Sequence, residues 1–171
     1  MNIFLSQDNV ADSVKDLDDL RLQKQLVEVY QLLDLAIREK EVGHEIKAGH
    51  YHHPVYLHYK NNIPFLAYYG CKCCAEYFWR FTKFHKLMDY FINLADNLFV
   101  EYKGKVIPQP NFTPYYMEGS IKDPNHIRTT DNVSALFRQK LINKWNNDKA
   151  KGRMPKWTNR DVPDFYRKEI G

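Results

Sequence analysis

The chain has 171 residues, 44% of them hydrophobic and 27% charged, which is enough to bury a core as a single domain over residues 1–171. No stretch approaches 18 apolar residues and the chain start lacks a basic leader region, so we expect a cytoplasmic protein with no membrane partner. The formal net charge of +4 is uneven, because residues 121–171 hold 12 Lys and Arg against 6 Asp and Glu. A basic segment with interleaved aromatic residues is typical of a phosphate-backbone binder, although a basic surface without a partner stays open.

The N-terminal segment 2–5 is short and apolar, and is predicted to pack against the body of the domain. An α-amine is partly unprotonated near neutral pH, so a fixed chain start at Met1 or Asn2 offers a potential nucleophile. Asp12 or Ser13 is predicted to cap the structure that follows.

The main helix is predicted from about residue 18 to residue 40, with Gly43 as its stop. Its apolar residues recur at steps of three and four, the spacing of one helix face: Leu22, Leu26, Val29, Leu33, Ala36 and Ile37. Glu28 lies on the neighbouring stripe, at the predicted edge of the core. A partly desolvated carboxylate has a raised pKa and suits proton transfer. The alternative is a solvated pair with Lys24, worth roughly 0.2–0.5 kcal/mol.

Residues 41–62 read as irregular and are rich in histidine. His50 and His53 invite a metal interpretation, but no cysteine or carboxylate stands beside them. Imidazoles that hydrogen bond to phosphate or to a flipped nucleotide are therefore favoured, and we expect no metal and no cofactor.

A second long helix is predicted from Asn61 or Asn62 to about residue 80, with Gly70 permitting close approach of another helix. Its three cysteines are too crowded for a disulfide framework and indicate a reducing compartment: Cys71, Cys73 and Cys74. At the corner that follows, Lys83 and His85 would suit a phosphate. Another helix is predicted near residues 86–98.

Residues 99–107 are predicted to form a small hairpin, and the proline-rich segment 108–119 to form either a strap across the core or a binding loop. Asp131 is predicted to cap the last long helix, about 131–148, with Lys144 pointing away from its apolar face.

The tail, residues 151–171, has turn signals at two prolines and is predicted to present its aromatic residues among basic ones. Within it, Lys156 and Trp157 are candidate DNA contacts. The chain is thus predicted to be mainly α, a compact single-domain helical bundle. It has long proline-rich and basic C-terminal loops and at most a small hairpin.

Several short motifs follow one another in a recognisable order: a Met-Asn-Ile-Phe start; Asp19-x-Arg21-x-x-Lys24-x-x-x-Glu28; His50-x-x-His53-Pro54; Ala75-Glu76-Tyr77-x-x-Arg80 leading into Lys83-x-His85; Pro-Gln-Pro-Asn-Phe-Thr; and Lys156-Trp157. Together they resemble the pyrimidine-dimer DNA glycosylase family, the endonuclease V-like excision enzymes of phages and large viruses. The match runs along most of the chain but is sparse.

The resemblance implies a mainly helical enzyme acting as a monomer on damaged or modified, double-stranded DNA, in a bacterial or virus-infected cell. It implies that the N-terminal amine attacks the sugar C1′, displaces the base and forms a Schiff base, which β-elimination can convert into a strand nick. It also implies that Glu28 orients the attack and handles protons.

Two positions depart from the family pattern. Arg21 stands where the family often has His; it can clamp a phosphate or pair with Glu28, but it cannot shuttle protons. Asn2 is bulkier than the small residue that allows the initiator Met to be removed, so the nucleophile here is either the Met1 amine or water. A water nucleophile would give a glycosylase without lyase activity.

Three other functions stay open on the sequence. The first is a non-catalytic nucleic-acid-binding or interaction protein on the same scaffold. The second is an N-ribosyl hydrolase acting on nucleotides, and the third is a histidine-based metal nuclease.

Overall fold

A computed structural model describes residues 1–98, 108–119, 122–123 and 125–170. These ranges are mainly helical, as predicted, with a single short hairpin among them. The elements in chain order are α1 (Val10–Asp16), α2 (Asp19–Val42), α3 (Pro54–Tyr59), α4 (Ile63–Phe81), α5 (Met88–Leu98), β1 (Tyr116–Glu118), β2 (Ile127–Thr129), α6 (Val133–Ala150) and α7 (Asp164–Ile170). Within the described ranges, no helix has the length and apolar character that crossing a bilayer requires.

Helices α2 and α4 form the centre of the molecule. The Arg80 guanidinium near the end of α4 bonds to Asp19 at the start of α2, at 3.1 Å, and Tyr69 in mid α4 bonds to Gln25. The two helices therefore run antiparallel, with their apolar faces in contact. Helix α2 ends at Gly43, whose positive φ of 77° forms the predicted C-cap.

Gly70 is the point where α4 meets α5. A Cβ at this position would lie 2.1 Å from a ring carbon of the buried Phe91, so only glycine allows this approach. The predicted role of Gly70 in close helix packing is confirmed.

The N-terminal segment is anchored, as predicted, with Ile3, Phe4 and Leu5 all buried. The predicted cap at Asp12 or Ser13 is wrong, because α1 begins earlier and its N-cap is Asn9, whose side chain accepts from the backbone N–H of Asp12.

The stretch 41–62 is not irregular throughout, because it contains the short helix α3. His53 is the N-cap of this helix, its Nδ1 accepting from the backbone N–H of Val55, and Pro54 occupies the first turn. A histidine cap followed by proline is a start signal that periodicity does not reveal in so short a helix.

The proline-rich segment is a strap across the core rather than a free loop. Phe112 stacks on Phe65 with ring centres 4.3 Å apart, and the Gln109 side chain accepts from the backbone N–H of Val10. The strap leads into the antiparallel pair of β1 and β2, in which Met117 lies opposite Arg128. The hairpin predicted at 99–107 lies outside the described residues.

Helix α6 begins after Asn132 rather than after the predicted Asp131. The tail that follows is not all loop, since it ends in α7. Its predicted presentation of aromatic side chains is wrong for Trp157 and Tyr166, which are 8% and 1% exposed. Both pack against the ring of Trp145, and the Trp157 indole N–H donates to the backbone oxygen of Asp16 at 2.9 Å. The tail thus closes the core over α1 and α6.

Candidate active site

A cavity of about 200 Å³ lies where the N-terminal segment crosses α2 and α6. Three elements supply its walls: Met1, Asn2 and Phe4 from the chain start; Arg21, Lys24, Gln25 and Glu28 from α2; Lys140 and Lys144 from α6. Lys24 and Gln25 each lie three or four positions from both Arg21 and Glu28, so these residues lie on one side of that helix. The first residue of the chain and Glu28 therefore share one pocket with several cationic side chains.

Asn2 fixes the start of the chain. Its side-chain Nδ2 donates to the Met117 backbone oxygen at 2.9 Å, and its Oδ1 accepts from the Met117 N–H at 3.1 Å. Its own backbone oxygen accepts from Gln25 at 2.8 Å. With the side chain buried, these bonds hold the residue before it at the mouth of the cavity.

Gln25 connects the chain start to Glu28. Its Nε2 donates to the Asn2 oxygen and to Glu28 Oε2, the latter at 2.9 Å. Its Oε1 accepts from the backbone N–H of Phe4 at 3.0 Å. Gln25 is 1% exposed, so this amide is a fixed part of the core.

Glu28 is half-buried at the core edge, as predicted. Burial raises its pKa, and the nearby N-terminal amine, the Gln25 hydrogen bond, Lys24 and His50 oppose that rise. A carboxylate in this position can accept a proton from a neighbouring amine or hydroxyl and return it.

The lysines of α6 are crowded as well as half-buried. Burial lowers the pKa of Lys144, and the positive charges of Arg21 and Lys24 lower it further. The pKa of Lys140 is lowered by burial and then by Lys144. Positive charges that are crowded together and partly desolvated are stabilised when an anion binds among them. A phosphate group is such an anion.

Arg21 lines the cavity but pairs with other carboxylates than Glu28, the partner expected for it. It pairs with Asp18 at 3.2 Å and forms a short contact with Asp148, so both carboxylates neutralise it within the core. Asp18 also accepts from the buried Trp145 indole at 2.8 Å. Arg21 therefore ties α2 to α6 and sets the position of Lys140 and Lys144, which form the cationic wall of the cavity.

His50 and His53 flank the same pocket. Their rings lie 6.0 Å apart, and His50 is near enough to Glu28 to affect its pKa. Burial, the N-terminal amine and His50 together lower the pKa of His53 to about 4. Because its Nδ1 accepts from Val55, the neutral ring carries its proton on Nε2. Arg128 of β2 also contributes positive charge at this end of the pocket.

Of the expected DNA contacts, Lys24 and Lys144 line the cavity and the two histidines flank it, whereas the other four do neither. Lys83 is exposed at the corner after α4, and His85 packs against Tyr77 while its Nδ1 accepts from the Leu87 N–H. Lys156 accepts a bond from Asp19 through its backbone oxygen at 2.8 Å. Trp157 lies in the core and leaves little of its ring for stacking on a base.

Three side chains near the pocket were missed from the sequence. Gln25 looked like an ordinary helix residue, although it lies one turn before Glu28 on the same side of the predicted helix. Lys140 lies one turn from Lys144, a spacing that could have identified it. Arg128 lies 100 residues beyond Glu28, and only the fold brings it near.

Across the described residues, no group of three or more His, Cys, Asp or Glu side chains is arranged to hold a metal ion. The groups that the pocket brings together are an amine, a carboxylate and fixed positive charges.

Comparison with known proteins adds one finding. The family model described as pyrimidine dimer DNA glycosylase matches residues 1–90, slightly more than half of the chain and including Glu28, Gln25 and His53. No curated protein and no solved structure matches the chain. Membership of that family implies a DNA glycosylase whose partner is DNA. The match over residues 1–90 agrees with a cavity that is lined by both the chain start and a helix glutamate. The chain belongs to the pyrimidine dimer DNA glycosylase family.

Proposed function

We propose that the protein excises a damaged or modified base, of the pyrimidine-dimer type, from double-stranded DNA. In this proposal the N-terminal amine is the nucleophile and Glu28 handles the protons. The observation that carries it is the shared cavity, in which the first residue, Glu28 and the lysines of α6 face one another. We further propose that it acts as a monomer in the cytoplasm of a bacterial or infected cell.

That geometry supports the following reaction. The unprotonated amine attacks C1′ of the deoxyribose, the N–C1′ bond forms, and the glycosidic bond breaks so that the base leaves with the bonding pair and takes up a proton from water. Glu28 receives a proton from the attacking amine and passes it to the opening sugar ring oxygen. Ring opening gives the imine directly. The amine nitrogen is already bonded to C1′, and the ring oxygen is the group that leaves this carbon.

Strand cleavage is the second step of the proposal. The imine makes the C2′ protons acidic, a base removes one of them, and the C3′–O bond breaks with the 3′ phosphate as leaving group. Glu28 is the carboxylate that lines the cavity together with the first residue, and in this proposal it removes this proton. The nicked strand then stays bound through the imine until water hydrolyses it.

The shape and charge of the pocket favour a sugar-phosphate over a base. The walls carry three lysines, and Phe4 is the single aromatic side chain among the lining residues. Bases are bound by stacking on aromatic faces, whereas a deoxyribose and its phosphates need positive charge and hydrogen-bond donors. The displaced base would therefore leave the pocket outward. Unstacking it costs a few kcal/mol, which is least for a damaged base.

The decisive experiment is a single-turnover assay on a panel of damaged and modified duplexes, with mass analysis of the released bases. Glu28→Gln should reduce base release by about 10²–10⁴-fold while DNA binding persists, since a general acid–base contribution is of this size. The matched control is Glu41→Gln, an exposed glutamate near the end of the same helix.

Borohydride reduction tests the amine. A covalent DNA adduct on the first residue, located by peptide mass, supports the imine. Free base without an adduct would replace the amine with water, and salt-sensitive binding without base release from any duplex would favour the non-catalytic binder.

A further inference from the structure

Among the described residues, Gln25 is the side chain that bonds to both the chain start and Glu28. Building on the proposed function, we infer that Gln25 is a positioning residue: its amide holds the N-terminal backbone and Glu28 Oε2 together and so reserves Glu28 Oε1 for proton transfer. Nothing in the motif that carries the family resemblance assigns this role to position 25.

The contacts of Gln25 use all of its hydrogen-bonding groups. Its two N–H bonds point at the Asn2 oxygen, 2.8 Å away, and at Glu28 Oε2, 2.9 Å away. Its oxygen faces the Phe4 N–H at 3.0 Å and the Tyr69 hydroxyl at 2.9 Å. The Tyr69 hydroxyl also lies 2.8 Å from the Phe4 oxygen and gives its single proton to one of the two acceptors at a time.

These partners fix which way the amide points. Reversing it would set an N–H₂ group against the Phe4 N–H and an oxygen against both the Asn2 oxygen and the Glu28 carboxylate. Each of those contacts is repulsive in a buried site. The backbone contacts of the chain start are sufficient to set this orientation and Glu28 favours the same one, so the donor that meets Glu28 is present before any DNA binds.

A permanent donor on Oε2 has two effects on Glu28. It stabilises the ionised carboxylate against the burial that favours the neutral acid, and it prevents rotation of the carboxylate away from the amine. The other charged groups that face Glu28 are the N-terminal amine, Lys24 of its own helix, His50 of the segment before α3 and Lys144 of α6. The residues that carry these groups are all more exposed than the buried Gln25.

Two substitutions separate positioning from simple packing. Gln25→Met keeps the length of the side chain but removes all of its hydrogen bonds. Gln25→Glu keeps the shape but places a second carboxylate beside Glu28, so the pair has to share a proton. Tyr69→Phe is the matched control, because it removes a buried bond to Gln25 without touching the contact with Glu28.

The first readout is the pH dependence of borohydride trapping on DNA with a preformed abasic site, an assay that needs no base release. We expect Gln25→Met to slow trapping by about 10- to 100-fold, the cost of a misplaced reacting group. We expect Gln25→Glu to move the acidic limb of the profile upward by about one pH unit. Tyr69→Phe should keep the wild-type profile. Wild-type profiles for both Gln25 variants would overturn the inference.

The second readout does not depend on catalysis. In ¹³C NMR of protein labelled at the glutamate carboxyl carbons, the Glu28 signal is assigned by its loss in Glu28→Gln. Its titration midpoint should rise in Gln25→Met and stay unchanged in Tyr69→Phe. An unchanged midpoint in Gln25→Met would contradict the inference even in an active enzyme. If the midpoint rises in Gln25→Met but the wild-type protein releases no base, the contact between Gln25 and Glu28 is supported and the proposed reaction is rejected.

Discussion

The side-chain amide of Asn2 pairs with the backbone of Met117 in both directions, across 115 positions of the chain. Met117 lies in β1, and its other side faces Arg128 of β2, so Asn2 extends the small hairpin by one pair of hydrogen bonds. The chain start is thereby attached to the hairpin that carries Arg128, whose positive charge acts on His53 beside the pocket. The position of the amine depends on this pair.

Asn2→Ala is therefore expected to lower both stability and reactivity. It leaves a buried backbone donor and acceptor unpaired, which costs about 1–3 kcal/mol in the free energy of unfolding, measured by urea denaturation. Borohydride trapping should fall more than DNA affinity, since the amine loses its fixed position. Asn143→Ala, at an exposed asparagine of α6, is the control and should change stability by less than about 0.5 kcal/mol. Equal effects of the two substitutions would contradict the anchoring role.

The cationic wall predicts how DNA binding depends on salt concentration. Lys144→Ala should weaken binding to undamaged and damaged duplexes alike, and should reduce the slope of log K against log salt by about one, because one phosphate fewer is neutralised. Fluorescence anisotropy at several salt concentrations measures both quantities. Lys47→Ala, at an exposed lysine beyond the end of α2, should leave the slope unchanged. A slope that does not respond to Lys144→Ala would place the phosphate path elsewhere.

The lowered pKa of His53 predicts that acid reduces the stability of the folded protein. Its pKa is lowered to about 4 in the folded protein, chiefly by burial, against 6.5 for the free side chain. Between these values the unfolded chain binds a proton that the folded protein does not, so the contribution of His53 to stability falls as the pH drops from 6.5 toward 4. Protonating Nδ1 would also break the cap of α3.

His53→Asn tests that linkage, because asparagine is a good N-cap that does not titrate. Urea unfolding at a series of pH values should show a flatter pH dependence for the variant than for the wild type. The control is His44→Asn at an exposed histidine after α2, which should follow the wild-type curve. If His53→Asn also follows that curve, the ring is not held neutral by the fold.

The close contact between Gly70 and Phe91 predicts that a larger residue at position 70 destabilises the protein. Gly70→Ala would place a methyl group against the ring of Phe91, and overpacking of this kind costs about 1–3 kcal/mol. Thermal and urea unfolding measure the decrease in stability. Adding Phe91→Leu should recover part of it by removing the ring edge, and a double variant less stable than Gly70→Ala alone would show that another contact is responsible.

Periodicity predicted the long helices to within a few residues, because an apolar face repeated over many turns has few alternatives. It did not predict α1, α3 or α7, since six or seven residues are too short to establish a period. Those helices depend instead on local caps, such as His53 before Pro54, and on tertiary contacts, such as the packing of Tyr166 on Trp145.

The candidate site was predictable in part for a different reason. Residues 21, 24 and 28 share a helix, so spacing alone places them together, and the anchored chain start could be inferred from its apolar side chains. The partners of Arg21 could not be foreseen, because Asp148 lies 127 positions away. The burial of Trp157 could not be foreseen either, because it depends on how the tail packs against α1.

The anchored chain start has a practical consequence for producing the protein. An affinity tag or fusion partner joined before Met1 would extend from a residue that lines the same cavity as Glu28 and Lys144, and it would convert the free amine into a peptide nitrogen. The last turn of α7 carries the exposed Arg167 and Lys168, so a tag attached after it meets neither obstacle. Purification tags for this enzyme should therefore be attached after α7 and not before Met1.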